Sequence, residues 1–80
     1  MSNNDDNLIH MVNQIAANLS GGRDDDTAAS ATCRHLETFW ARTMKKRLAE
    51  RVQGDATGFS PVARQAAMLL AERLSERQAS

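Results

Sequence analysis

Aromatic side chains are scarce in this 80-residue chain: Phe39, Trp40 and Phe59 are the whole set, and Tyr is absent. β-Branched residues never form a run. A sheet core draws on both kinds of residue, so strands are not expected. Cysteine occurs once, as Cys33, and proline once, as Pro61. A lone cysteine excludes an internal disulfide, and nothing in its use speaks for an oxidising compartment. An excess of either charge is also missing, because ten Lys and Arg balance ten Asp and Glu. General polyanion binders draw affinity from phosphate neutralisation, which a net charge of zero does not favour. No apolar run approaches the ~20 residues of a membrane helix. The stretch from Met1 to Asn7 is polar and acidic, without the basic start and apolar centre of a signal peptide. The expected address is the cytoplasm, with neither membrane nor nucleic acid as partner.

What is abundant favours helix. Ala, Leu, Arg, Glu and Gln lose little freedom in that conformation. The length sets one domain over residues 1–80. A chain this short buries a modest share of its surface, which leaves little core for a deep catalytic cleft. The expected fold is all-α: a small compact helical bundle of three to four helices at about 7–19, 26–40, 42–53 and 60–75. The ends, 1–6 and 76–80, are expected to be disordered tails.

Leu8, Val12, Ile15 and Leu19 form one stripe at helical spacing, flanked by Met11 and Ala16. Asp6 or Asn7 can cap this helix, and Ser20-Gly21-Gly22 ends it. His10, Asn13, Gln14 and Ala17 fall opposite the stripe. The carboxylates of Asp24, Asp25 and Asp26 suit the start of a second helix. Its inner face holds Ala29, Cys33, Leu36 and Trp40, with Phe39 at the edge and expected in the core. Met44, Leu48 and Val52 continue a four-residue spacing from Trp40. No breaker intervenes, so a bend near residues 41–43 and one helix reaching Gln53 both remain open. A straight helix of that length would measure ~40 Å, which favours the bend. The segment Gly54 to Gly58 is a loop. Ser60 then caps a last helix with Pro61 in its first turn and Phe59 as a hydrophobic staple. That helix is apolar over a wide arc, through Val62, Ala63, Ala66, Leu69, Leu70 and Leu74, and Met68 lies outside the arc. Such a face can serve self-association of the isolated chain.

Sites of chemistry are hard to assemble. Cys33 and His35 are two apart and so point to different sides of a helix. Zinc wants about four ligands, and His10 is the only further soft donor. A Cys33 nucleophile would need an electropositive, accessible niche, yet it sits with Leu36 and Trp40. The three aspartates lack the alternating twelve-residue pattern of a calcium loop. No catalytic, cofactor-binding or metal-ligating residue is therefore expected. The basic residues split: Arg42, Lys45 and Lys46 lie on one side of the Met44–Leu48 stripe, Arg47 and Arg51 on the other. Long cations arranged so can snorkel around a buried stripe. The first group suits an acidic patch on a protein partner, whereas a nucleic-acid surface would concentrate its charge on one face. A small helical nucleic-acid-binding or regulatory protein is the alternative class.

Three segments carry a family likeness: Met11-Val12-Asn13-Gln14-Ile15-Ala16, His35-Leu36-Glu37-Thr38-Phe39-Trp40 followed by Met44, and Gly58-Phe59-Ser60-Pro61-Val62. In this order and at these distances they resemble the delta subunit of NAD-dependent, molybdenum-containing formate dehydrogenases. The likeness covers most of residues 8–74. One departure is that the family's pattern after Phe-Trp has Asp-Pro-Arg before the Met, where this chain has Ala41-Arg42-Thr43. The resemblance implies a non-catalytic accessory subunit of a cytoplasmic enzyme that oxidises formate and reduces NAD. It implies support for assembly, stability or cofactor insertion, with the alpha subunit as partner. Molybdopterin, iron–sulfur clusters, FMN and NAD are expected in the partner subunits and not in this chain. Asn13 and Gln14 belong to a family-like motif on a face the fold does not need, and Trp40 and Arg42 are of types that anchor interfaces. The expected partner interface is thus Asn13, Gln14, Trp40, Arg42, Lys45 and Lys46.

Overall fold

The structure, a computed structural model, describes the backbone of residues 3–79 and the side chains of residues 5–77. It contains four α-helices: α1 Asn3–Leu19, α2 Asp25–Phe39, α3 Arg42–Gly54 and α4 Pro61–Ala79. The described residues include no strand. The all-α bundle expected from the composition is what forms.

Two helices are longer than the sequence pattern suggested. α1 starts at Asn3 rather than near residue 7, so residues 3–6 are helical rather than a loose tail. Asp5 and Asp6 lie in its first turn, where carboxylates complement the helix dipole. Asp5 also pairs with Arg47 of α3 at 3.4 Å, which anchors that turn. α4 continues past 75 to Ala79, and Arg77 in its last turns pairs with Glu37 of α2 at 3.6 Å. Residues 1, 2 and 80 of the expected tails lie outside the described residues.

The inner face of α1 is also turned relative to expectation. Leu8, Ile9, Val12 and Ala16 are buried, Ile15 and Leu19 only half-buried, and Met11 is exposed. The reason is visible at Asn13. Its Nδ2 donates to the Gly58 carbonyl at 2.9 Å, and its Oδ1 accepts from the Ser60 N–H at 2.9 Å. This two-point clamp rotates α1 toward the loop before α4. Gly58 holds φ +93° there, a conformation that L side chains rarely adopt, with Ile9 against it.

Local signals at the other ends act as the sequence indicates. The Asp24 carboxylate accepts from the Thr27 N–H at 2.7 Å and caps α2. Ser60 Oγ accepts from the Ala63 N–H at 3.3 Å and caps α4 ahead of Pro61. Gly22 takes φ +72° after α1, and the Arg23 guanidinium donates to the Leu19 carbonyl at 2.9 Å. That bond satisfies an end carbonyl and sets a cation at the negative end of the helix.

The core joins Val12, Leu36, Trp40, Leu48, Val52 and Leu70 with small residues of α2 and α4. Ala29 and Cys33 on α2, with Ala63, Ala66 and Ala67 on α4, are fully buried. Small side chains on both faces let the two backbones approach closely. Asp26 receives a bond from Gln65 at 2.7 Å near the start of both helices, and Glu37 meets Arg73 near the far end. α2 and α4 therefore run parallel. α3, which joins them in sequence, packs on α1 and α4 rather than on α2. The buried Thr32 hydroxyl returns to the Ala28 carbonyl at 2.8 Å, so the core contains no unsatisfied side-chain polar atom among the described residues.

Asn13→Ala removes both arms of the clamp. We expect a loss of ~1–3 kcal/mol in urea unfolding of the isolated chain, because the Ser60 N–H and the Gly58 carbonyl lose their partner. A variant as stable as the wild type would show that the clamp does not hold α1.

Candidate partner interface

Two extended residues separate α2 from α3. Trp40 has φ −86° and ψ 144°, and Ala41 has φ −63° and ψ 150°. The chain bends here without the proline of the family pattern. A straight helix through α2 and α3 would measure about 45 Å at 1.5 Å per residue, whereas the longest dimension of the molecule is 33 Å. Bending lets Trp40 on one side and Leu48 with Val52 on the other reach the same core. Trp40 is 8% exposed, so this sequence-expected interface residue is a core residue that fixes the elbow. Its N–H still reaches the Leu36 carbonyl at 3.0 Å. Lys45 Nζ donates to the Glu37 carbonyl at 3.3 Å, so a cation of α3 closes the last turn of α2.

The elbow has an outward consequence. Phe39, expected in the core, is 72% exposed. Leu36 and Trp40 occupy the inner face, and the residue just before Trp40 points away from it. The Phe39 ring lies against His35 one turn back, with ring centroids 4.8 Å apart at a tilt of 45°. Sequence reasoning missed it because hydrophobicity alone assigns a phenylalanine to the core. Its neighbour Trp40 was the available signal, since adjacent helical residues do not share a face.

Beyond the elbow, Arg42, Lys45 and Lys46 of α3 meet Leu74 and Arg77 of α4 around a cleft of about 410 Å³. Three of the expected interface residues are thus brought together. Among the described residues, neither Arg42 nor Lys46 pairs with a carboxylate. The nearby acid, Glu37, is engaged by Arg73 and Arg77. The start of α3 is unusual: Ala41 offers no side-chain cap, and no acid stands in the first turn. Cations there oppose the helix dipole. Asn13 and Gln14 do not join this cluster. Gln14 is exposed on α1, and both ends of the Asn13 amide are held by the Gly58–Ser60 segment.

Cys33 is fully buried, and its thiol lies 4.0 Å from Glu37 Oε1. Burial pushes its pKa up to about 11, which the Arg73 cation only partly offsets. A thiol held in that form is a poor nucleophile and a poor metal ligand. The described residues hold no group of three His, Cys, Asp or Glu that could bind a metal ion. They likewise include no helix long and apolar enough to cross a membrane.

Comparison with known protein families gives a match over most of the chain. The model of a family described as NADH-dependant formate dehydrogenase delta subunit FdsD matches residues 7–67. No curated protein and no solved structure matches.

The uncapped start of α3 yields a stability prediction. Ala41→Ser supplies a cap in a backbone already extended for that role and should stabilise the isolated chain by ~0.5–1 kcal/mol. Thermal unfolding should rise by about 2–8 °C. An unchanged or lower midpoint would show that the amides at the start of α3 already have partners.

Proposed function

This chain belongs to the FdsD family of delta subunits of NADH-dependent formate dehydrogenases, and from that membership we propose that it is a non-catalytic accessory subunit of the complex. It docks on the alpha subunit in the cytoplasm and supports assembly, stability or cofactor insertion. The observation that carries this reading is the α2–α3 elbow: Phe39 on its α2 side is 72% exposed, and on its α3 side Arg42 and Lys46 pair with no carboxylate among the described residues. Exposed single apolar residues are ordinary on monomers. An exposed aromatic residue and an arginine on the two sides of one elbow, by contrast, are of the types enriched at interfaces. Trp40 contributes by holding the elbow, and Gln14 offers a separate polar contact on α1.

The chemistry belongs to other subunits under this reading. Molybdopterin, iron–sulfur clusters, FMN and NAD reside there under this reading, and the soft donors of this chain are poorly placed to ligate a cluster. Cys33 is buried, and His35 faces Phe39.

Expression of the complex with and without this chain tests the role. Without it, we expect fewer intact complexes or less molybdenum per complex. Loss of subunits marks a structural role, and loss of metal with intact assembly marks insertion. Equal yield, composition and metal content without the chain would contradict the proposal.

Phe39→Ala probes the docking surface. The side chain is mostly in water, so stability should stay within ~0.5 kcal/mol. Retention of the chain by the other subunits should weaken by about 2 kcal/mol or more, roughly 30-fold. Undiminished retention of the folded variant would exclude Phe39 as an anchor.

A further inference from the structure

The cleft between the start of α3 and the end of α4 has an uncommon make-up. It is lined by Arg42, Lys45, Lys46 and Arg77 together with Leu74, a half-buried residue that also packs on the core. A lining of four cations around one aliphatic side chain suits something that brings an aliphatic group and carboxylates together.

Resting on the docking reading above, we propose that this cleft seats an acidic segment of the partner polypeptide. One aliphatic side chain lies over Leu74, and flanking Asp or Glu carboxylates pair with Arg42 and Lys46. Charge complementarity identifies the occupant. The cluster is locally basic although the chain as a whole is neutral, and among the described residues Arg42 and Lys46 lack carboxylate partners. Arg42 does not help the fold electrostatically: it stands in the first turn of α3, at the positive end of its dipole, with no acid beside it in that turn. A carboxylate from outside would relieve that and accept from the uncapped amides. Lys45 is already committed to the Glu37 carbonyl, and Arg77 to the Glu37 carboxylate. Arg42 and Lys46 are therefore the recognition pair.

The assembled formate dehydrogenase complex provides the test. A carbodiimide joins an amine to a carboxylate only where they are in contact, and mass spectrometry locates the bond. We expect Lys46 coupled to an Asp or Glu of another subunit. Lys46→Arg should keep binding and lose the coupling. Arg42→Glu/Lys46→Glu should lower retention of the chain about tenfold or more, and added salt should weaken wild-type binding. Circular dichroism of the isolated double variant checks that it is folded. A folded double variant retained in full stoichiometry overturns the cleft and leaves docking intact. So does a complex in which Lys46 stays as reactive as in the free chain. Protection of Lys46 in the free chain by inorganic phosphate, without coupling in the complex, replaces the peptide with a free anion and also overturns it. A wild-type chain that forms no complex sinks the docking reading itself.

Discussion

Trp40 has to enter the core while the chain turns away from α2, and most of the molecule follows from that demand. The turn takes two extended residues and no proline. It lets α3 lie on α1 and α4, where Leu48 and Val52 meet the core reached by Leu36 and Trp40. It also fixes what remains outside. Phe39 cannot share the face of its neighbour, and α3 begins without a side-chain cap and with Arg42 and Lys46 exposed. The elbow thus joins a packing requirement to a surface that the isolated fold does not use.

The other constraint is the Asn13 clamp. A single amide ties α1 to the loop before α4 and turns α1 so that Ile9, not Met11, is buried. Parallel packing of α2 and α4 completes the frame. Small residues line that contact, with polar ties at both ends through Asp26–Gln65 and Glu37–Arg73. Alanine faces bury little apolar area per residue, so close approach and good packing must supply what bulk does not. A small core of this kind leaves a marginal stability that contact with a larger partner can raise by mass action.

Helix content, the Gly21-Gly22 stop and the Ser60-Pro61 start were all legible in the sequence, because each rests on local backbone chemistry, whereas the choice between three and four helices stayed open and is settled by the break at Trp40 and Ala41. Clustering of Arg42, Lys45 and Lys46 was legible from helical spacing as well. The first turn of α1 was not, since Asp5 is held by Arg47 from a helix far away in sequence. Asn13 looked like a surface residue because the partners of its amide lie 45 and 47 residues further on. Phe39 was expected in the core on hydrophobicity alone, although spacing had already given the inner face to its neighbour Trp40. Leu74 and Arg77 entered the cleft through the packing of α4 on α3, which no local pattern records.

Hydrogen exchange of the chain, free and within the assembled formate dehydrogenase complex, tests the central claim most directly: the elbow and its basic cleft are where the partner sits. Amides at the start of α3 lack acceptors within the helix and should exchange fast in the free chain. The account predicts marked slowing on assembly over residues 39–46, together with the end of α4 around residues 74–77. Unchanged exchange there, with protection confined to the groove of Gln53, Met68 and Glu72, would contradict it.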